Sequence, residues 1–287
     1  VTVAPAMWRF DAIGVPWRVE TPEPVPGADR ARVGHLIEDF DRSWSRFRDD
    51  SVVAALARGA GSAPAPADAV MLLDTLSAAA EATADAVTPL AGDALEALGY
   101  DADLTLRPAG VHPALPWREV LSWTRREITL TRPATIDVGA LGKGRLVDLV
   151  FQSLHHLAGP LVVDASGDLR SRGAVERVGL EHPYDPDRVI GVWEFEDAAL
   201  CASATNRRAW GDGLHHVIDG RTGEPVRTIV ATWAVADDAM TADAVATALF
   251  FDGGPRFAHD RGVAWVRMTT DGRAEYSPGC AARLFTA

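Results

Sequence analysis

Four segments of the chain combine reactive residue types at usable spacings. In Asp137-Val-Gly-Ala-Leu-Gly-Lys143-Gly-Arg-Leu-Val-Asp148, a strand is expected to end at Val138, three glycines allow a tight turn, and a helix starts near Lys143. Backbone N–H groups at a helix start, with an ammonium beside them, suit a phosphate. No Ser or Thr follows Lys143 and the glycine spacing is not the dinucleotide fingerprint, so the segment is neither a Walker A loop nor a Rossmann turn. An ordinary strand-to-helix turn has the same pattern. In Thr241-Ala-Asp243-Ala-Val-Ala-Thr247, Asp243 and Thr247 lie four apart and share one helix face. A carboxylate and a hydroxyl are hard oxygen donors of the kind magnesium accepts. An Asp in a first turn behind an N-capping Thr241 would equally serve only the helix. In Leu214-His-His216-Val-Ile-Asp219-Gly-Arg-Thr-Gly223, a strand carrying His216 is expected to run into an Asp-Gly turn. His is the usual base near neutral pH, and a nearby Asp such as Asp219 would orient it or raise its basicity, although a His-His pair in a half-exposed strand more often serves structure alone. In Val163-Asp-Ala-Ser-Gly-Asp168 a strand leads into a turn that presents either N–H groups or a carboxylate, or simply closes a hairpin.

The elements that must position these residues follow from periodicity. Val33, Leu36, Ile37, Phe40, Trp44 and Phe47 recur at three- and four-residue steps, which predicts an amphipathic helix after a Pro-rich loop at Glu20–Asp29. An Ala-rich helix pair is expected from about Ala67 to Leu98, broken near Thr88-Pro89. Strands are expected at Glu127–Val138, Pro160–Asp164, Asp168–Gly173, Val189–Glu194, Leu214–Asp219, Ile229–Ala236 and Val263–Arg267, with helices at about Lys143–His156 and Thr241–Phe251. Helices gathered early and strands gathered late indicate an α+β fold in one domain over residues 1–287.

Composition narrows the function classes. The chain has 287 residues, 47% hydrophobic and 24% charged, with a net charge of −12. Nucleic-acid and anionic-membrane binding need clustered Lys and Arg, which an acidic chain without a basic tract lacks. No apolar run approaches the roughly 20 residues of a membrane-spanning helix. Two cysteines, Cys201 and Cys280, exclude a disulfide scaffold and a Cys-based zinc site. All of the 28 basic side chains except Lys143 are arginine. A compact ammonium reaches a crowded phosphate between glycines where a planar guanidinium does not.

Taken in order, the segments resemble the FAD:protein FMN transferase (ApbE) family from about Phe10 to Leu284. The resemblance includes Ala-Ile-Gly-Val-Pro-Trp17, Trp44-Ser-Arg-Phe-Arg-Asp-Asp-Ser51 and Leu98-Gly-Tyr-Asp101, besides the Asp137–Asp148, His216–Gly223 and Asp243–Thr247 stretches. It implies a T-fold-like mixed sheet with packed helices, and magnesium-dependent cleavage of the FAD pyrophosphate. FMN is then transferred to a Thr or Ser of a target flavoprotein, and AMP leaves. On this resemblance Asp243, Thr247 and the carbonyl of Ala140 hold Mg2+. Asp137, Lys143 and the backbone of Val217 meet FAD, and His216 deprotonates the acceptor hydroxyl. An FAD pyrophosphatase would use the same groups, and a carrier would bind FAD without turnover. The chain departs from the family pattern at Val15, at Val87-Thr-Pro-Leu90, and at Ser166, Ala202 and Gly220. With neither a secretory signal nor a lipid-attachment Cys at the start, cytoplasmic residence is the expectation.

Overall fold

The computed structural model describes residues 4–285. It opens with a hairpin of β1 (Ala6–Ala12) and β2 (Val15–Thr21), whose two-residue turn places Ile13 at φ 47° and Gly14 at φ 74°. Such a turn matches strand twist, but a β-branched residue at positive φ is strained where Asn or Gly is not. The expected loop Glu20–Asp29 is shorter than predicted, because β2 runs to Thr21 and α1 (Gly27–Trp44) starts directly after Pro26. The apolar stripe of α1 buries Val33, Ile37 and Trp44. Next come α2 (Val52–Ala57), β3 (Gly61–Pro64), α3 (Ala69–Ala82), α4 (Gly92–Ala97), α5 (Trp117–Val120), β4 (Leu121–Trp123) and β5 (Glu127–Leu130). The expected strand Glu127–Val138 stops at Leu130. Beyond it Pro133 offers no N–H, and the following donors turn to the helical side: Thr135 N to Asp93 Oδ1 at 3.2 Å and Asp137 N to Pro89 O at 2.9 Å.

The second half carries α6 (Gly142–Ser153), β6 (Leu161–Asp164), β7 (Asp168–Arg172), β8 (Val175–His182), β9 (Asp185–Glu196), β10 (Ala199–Ala204), β11 (Ala209–Trp210) and β12 (Leu214–His215). It ends with β13 (Ile229–Ala236), α7 (Ala239–Ala248), α8 (Gly254–His259), β14 (Ala264–Thr269), β15 (Ala274–Tyr276) and β16 (Arg283–Leu284). The expected strand Leu214–Asp219 is only the two residues of β12, so His216 lies just past it rather than within it.

Eight strands form the main sheet in the order β1-β2-β6-β7-β10-β13-β14-β15. The α+β reading holds, but the sheet is antiparallel at every pairing rather than mixed. The link from β13 to β14 shows why. A single crossover helix would return the chain for parallel pairing, whereas α7 and α8 together bring it back to the end where β13 finished, pairing Val235 with Ala264. Side chains alternate across this sheet. Leu161 and Val163 of β6 join the core under α1, α3, α6 and α7, while Val162 joins a second core under β8 and β9 with Leu180, Trp193 and Trp233. Helices thus cover one face and the β16-β9-β8 sheet the other. Among the described residues, no helix is long and apolar enough to cross a membrane.

Candidate functional site

The site begins where α6 and α7 meet. Asp148 of α6 is buried and caps α7: its Oδ1 accepts from Ala239 N and its Oδ2 from Met240 N, each at 2.9 Å, and Arg170 Nη1 lies 2.6 Å from Oδ1. Asp238 is the N-cap, accepting from Thr241 N at 2.8 Å, so Thr241 is not the cap expected and Asp243 lies deeper, in the second turn. Gly144 is where the two helices touch. A Cβ there would lie 2.2 Å from Ala239 O and 2.7 Å from Asp243 Cβ, and the Gly144 N–H donates to Asp243 Oδ2 at 2.9 Å. One turn further along α7, the Thr247 hydroxyl donates to Ala140 O at 3.1 Å. Asp243, Thr247 and the Ala140 carbonyl are therefore brought together at the start of α6.

A third element closes this cluster. Asp168, the first residue of β7, is fully buried, and Lys143 Nζ stands 2.5 Å from its Oδ2. Apart from this ion pair neither Asp168 oxygen has a partner. Burial opposes the charge on Lys143, but Asp168 and Asp243 outweigh it and hold the ammonium above its ordinary range. Burial first, and then the Asp168 carboxylate, push the Asp243 carboxyl well above its usual range. Two buried carboxylates thus share one ammonium, an arrangement short of positive charge. Among the described residues no group of three His, Cys, Asp or Glu side chains could hold a metal. A cation here would rest on Asp243 with the carbonyl and hydroxyl oxygens of Ala140 and Thr247, a donor set that suits a hard divalent ion such as Mg2+.

The second half of the site surrounds Asp137. Its Oδ1 accepts from Gly139 N at 2.6 Å, and its Oδ2 accepts from Arg46 Nε at 2.7 Å. Arg46 is buried, donates through Nη1 to Tyr100 O at 2.7 Å, and leaves Nη2 without a partner. Its guanidinium lies over Phe47 and Tyr100, and Tyr100 stacks on Trp210. Trp210 and Ile218 share a small core with Leu95 of α4 and Leu98 at its C-cap, which fixes the segment bearing His216. The His215 ring is committed to structure, with Nε2 at 2.9 Å from Val226 O and Nδ1 accepting from Val217 N at 3.3 Å. The His216 ring has a buried Nδ1 without a partner. Burial, and then Arg208, lower its pKa to about 3, with Asp137 pulling weakly the other way. Arg208 is thus the neighbour that acts most on His216, and Asp137 is a carboxylate that acts on it weakly. The Asp219 carboxylate is instead held by Arg221, at 2.5 Å from Oδ2. The Val217 carbonyl already accepts from Val226 N at 3.1 Å, so Val217 offers the site only a second lone pair.

Val15 opens β2, and the other departures from the family pattern fall in two places. Gly220 N donates to Ala86 O at 2.8 Å, and a Cβ at 220 would lie 2.5 Å from Thr88 Cγ2. The changes at Thr88 and Gly220 are thus in direct contact and fit one another. Ser166, at φ 55°, and Ala202 line a cavity of about 40 Å³ with Gly167 and Trp233, room for water rather than for a flavin ring. Asp168 and Arg46 are the site residues that sequence reasoning did not assign. Asp168 ends a singled-out turn and Arg46 falls in a singled-out segment, yet their partners are 25 and 91 positions away.

The ApbE family model matches residues 13–267. The chain is 30% identical over 304 residues to FAD:protein FMN transferase of Rhodobacter capsulatus, covering 96% of this chain and 57% of that protein. It is 30% identical over 256 residues to FAD:protein FMN transferase of Treponema pallidum (strain Nichols), covering 76% of this chain and 69% of that one. The chain therefore spans little more than half the length of the first relative. Among solved structures, the flavin transferase ApbE of Vibrio cholerae superposes with a TM-score of 0.80 at 20% identity, over 95% of this chain and 97% of that one. The ApbE protein of Thermotoga maritima gives 0.79 at 22%, over 95% and 97%. At these identities the structural matches speak for the fold.

Proposed function

Since this chain belongs to the ApbE family, we propose that it is a magnesium-dependent FAD:protein FMN transferase. The observation that carries the reading is the buried pair of carboxylates, Asp168 and Asp243, opposed by only the single ammonium of Lys143. Mg2+ would be held by Asp243, Thr247 and the Ala140 carbonyl. When bound, it neutralises charge on the phosphoryl oxygens and restores the charge balance of the cluster. Lys143, at the start of α6, receives the pyrophosphate together with the N–H groups of the turn. Asp137, held by Arg46, orients the substrate beside His216. A hydroxyl of an acceptor Thr or Ser attacks the FMN phosphorus. The bond from that phosphorus to the bridging oxygen breaks, AMP leaves with the oxygen, and the hydroxyl proton passes to the His216 ring. His216 is neutral at pH 7, as a base must be, and the approach of an anionic substrate raises its basicity from the low value of the free site.

The test is incubation with FAD with and without Mg2+, following AMP by chromatography, with a Thr-containing acceptor peptide checked by mass for the FMN adduct. Magnesium-dependent AMP with an adduct that disappears in His216→Gly supports the transferase. AMP and free FMN without an adduct on any acceptor would mark a hydrolase. Bound FAD without AMP would refute catalysis.

A further inference from the structure

Outside the residues assigned above, the most unusual group is the Asp168 side chain. Its backbone is fixed on two sides: Asp168 pairs with Cys201 on β10, and its carbonyl accepts from Ala165 N at 2.8 Å. Its carboxylate is wholly buried, in an ion pair with Oδ2 2.5 Å from Lys143 Nζ and with neither oxygen otherwise partnered. Lys143 has no other protein acceptor among the described residues, and its side chain keeps 20% of its surface exposed. The ammonium is thus held in an ion pair with one buried carboxylate at the start of β7. A free lysine side chain samples many rotamers, so an anchored one meets an anion with its ordering cost already met.

We propose that Asp168 is a positioning residue that acts through Lys143, holding the ammonium aimed at the phosphates of the substrate. This rests on the reading above that Lys143 meets the FAD pyrophosphate. In this role Asp168 contacts neither the phosphates nor the acceptor hydroxyl. It keeps the only lysine of the chain in place.

A double-mutant cycle on FAD binding, read by flavin fluorescence in EDTA, separates this role from a merely structural one. Lys143→Met and Asp168→Asn should each weaken binding about tenfold, as losing an outer partner of such a site does. The double variant should bind no more weakly than Lys143→Met alone, because Asp168 has nothing left to position. Losses that multiply would show an independent effect and overturn the proposal. So would an Asp168→Asn protein that binds FAD as tightly as the parent or more tightly. Asp168→Ser is run in parallel, and only variants with the parental circular dichroism spectrum are read. A second measurement does not involve FAD. With a single lysine in the chain, amine-selective labelling located by mass spectrometry reports on Lys143 directly. Severalfold faster labelling in the Asp168 variants is expected, and unchanged labelling overturns the proposal. If Lys143→Met binds FAD like the parent while the labelling difference holds, the functional reading of Lys143 fails and the anchoring stands.

Discussion

Gly144→Ala tests whether the approach of α6 to α7 is as close as described. The added methyl would sit 2.2 Å from Ala239 O and 2.7 Å from Asp243 Cβ, so the helices must part by about 1 Å to restore ordinary contact. Overpacking of this kind costs about 1–3 kcal/mol. Parting also stretches the Gly144 N–H bond to Asp243, a charge-assisted bond of about 1.5–3 kcal/mol. Alanine returns about 1 kcal/mol of helix propensity. The net expectation is a loss of about 2–4 kcal/mol, read as a lower midpoint in urea. Gly34→Ala is the matched control. Gly34 lies on the exposed face of α1 with nothing within 4 Å of an added Cβ, so the same change should stabilise by about 0.5–1 kcal/mol. Function should follow the geometry. A shift of about 1 Å at Asp243 is of the size that costs on the order of a hundredfold in rate, and the magnesium requirement should rise. A Gly144→Ala protein with the parental midpoint and parental magnesium-dependent AMP release would refute both the close approach and its role.

Three further outcomes are expected. Asp148→Asn puts an amide N–H against the Ala239 or Met240 N–H, so it should lose about 2–3 kcal/mol in urea melts and raise the magnesium needed for half-maximal AMP release. His216→Gln should flatten the acid side of the stability profile. With a folded pKa of about 3 against about 6.5 unfolded, the unfolded chain binds the extra proton between those values, so the parent loses stability as pH falls through that window. The variant should therefore gain up to about 3 kcal/mol relative to the parent between pH 7.5 and 4.5 in paired urea melts, and a parallel pair of profiles would count against the shift. Gly220→Pro restores the family residue, yet it removes the N–H bonded to Ala86 O and drives ring atoms into Thr88. It should cost about 3 kcal/mol by thermal denaturation.

The elements nearest the chemistry were the most legible. Ile229–Ala236 matches its predicted bounds, and α6 and α7 begin within two residues of expectation. Each is a long apolar run or a helix with turn residues at its start. The β1–β2 hairpin escaped because Ile13 occupies a turn position where Asn or Gly would signal it. Strand β8 escaped because Val175–His182 breaks the apolar alternation, with Glu176 beside Arg177 and Gly179 within the run. Within the site, Asp243 and Thr247 could be paired from their spacing alone, since one helix carries both. The partnership of Lys143 with Asp168, and of Arg46 with Asp137, could not, because tertiary packing rather than local spacing joins them. Asp219 was the sequence neighbour of His216, but its carboxylate is paired with Arg221.

The order of the main sheet has a kinetic consequence. Strand β2 pairs with β6 across a separation of 146 residues at Arg18 and Asp164, and every residue between them folds as an excursion from that seam. The Gly144–Asp243 bond spans a further 99 positions. Contacts of such long range close slowly, because the loop entropy is lost before the contact forms. A ribosome-bound chain that has not yet released α7 holds Asp137, Lys143 and Asp168 but neither Asp243 nor Thr247. The nascent protein thus holds Asp137, Ala140, Lys143 and Asp168 before Asp243 and Thr247, and the cluster closes only once α7 has docked on α6.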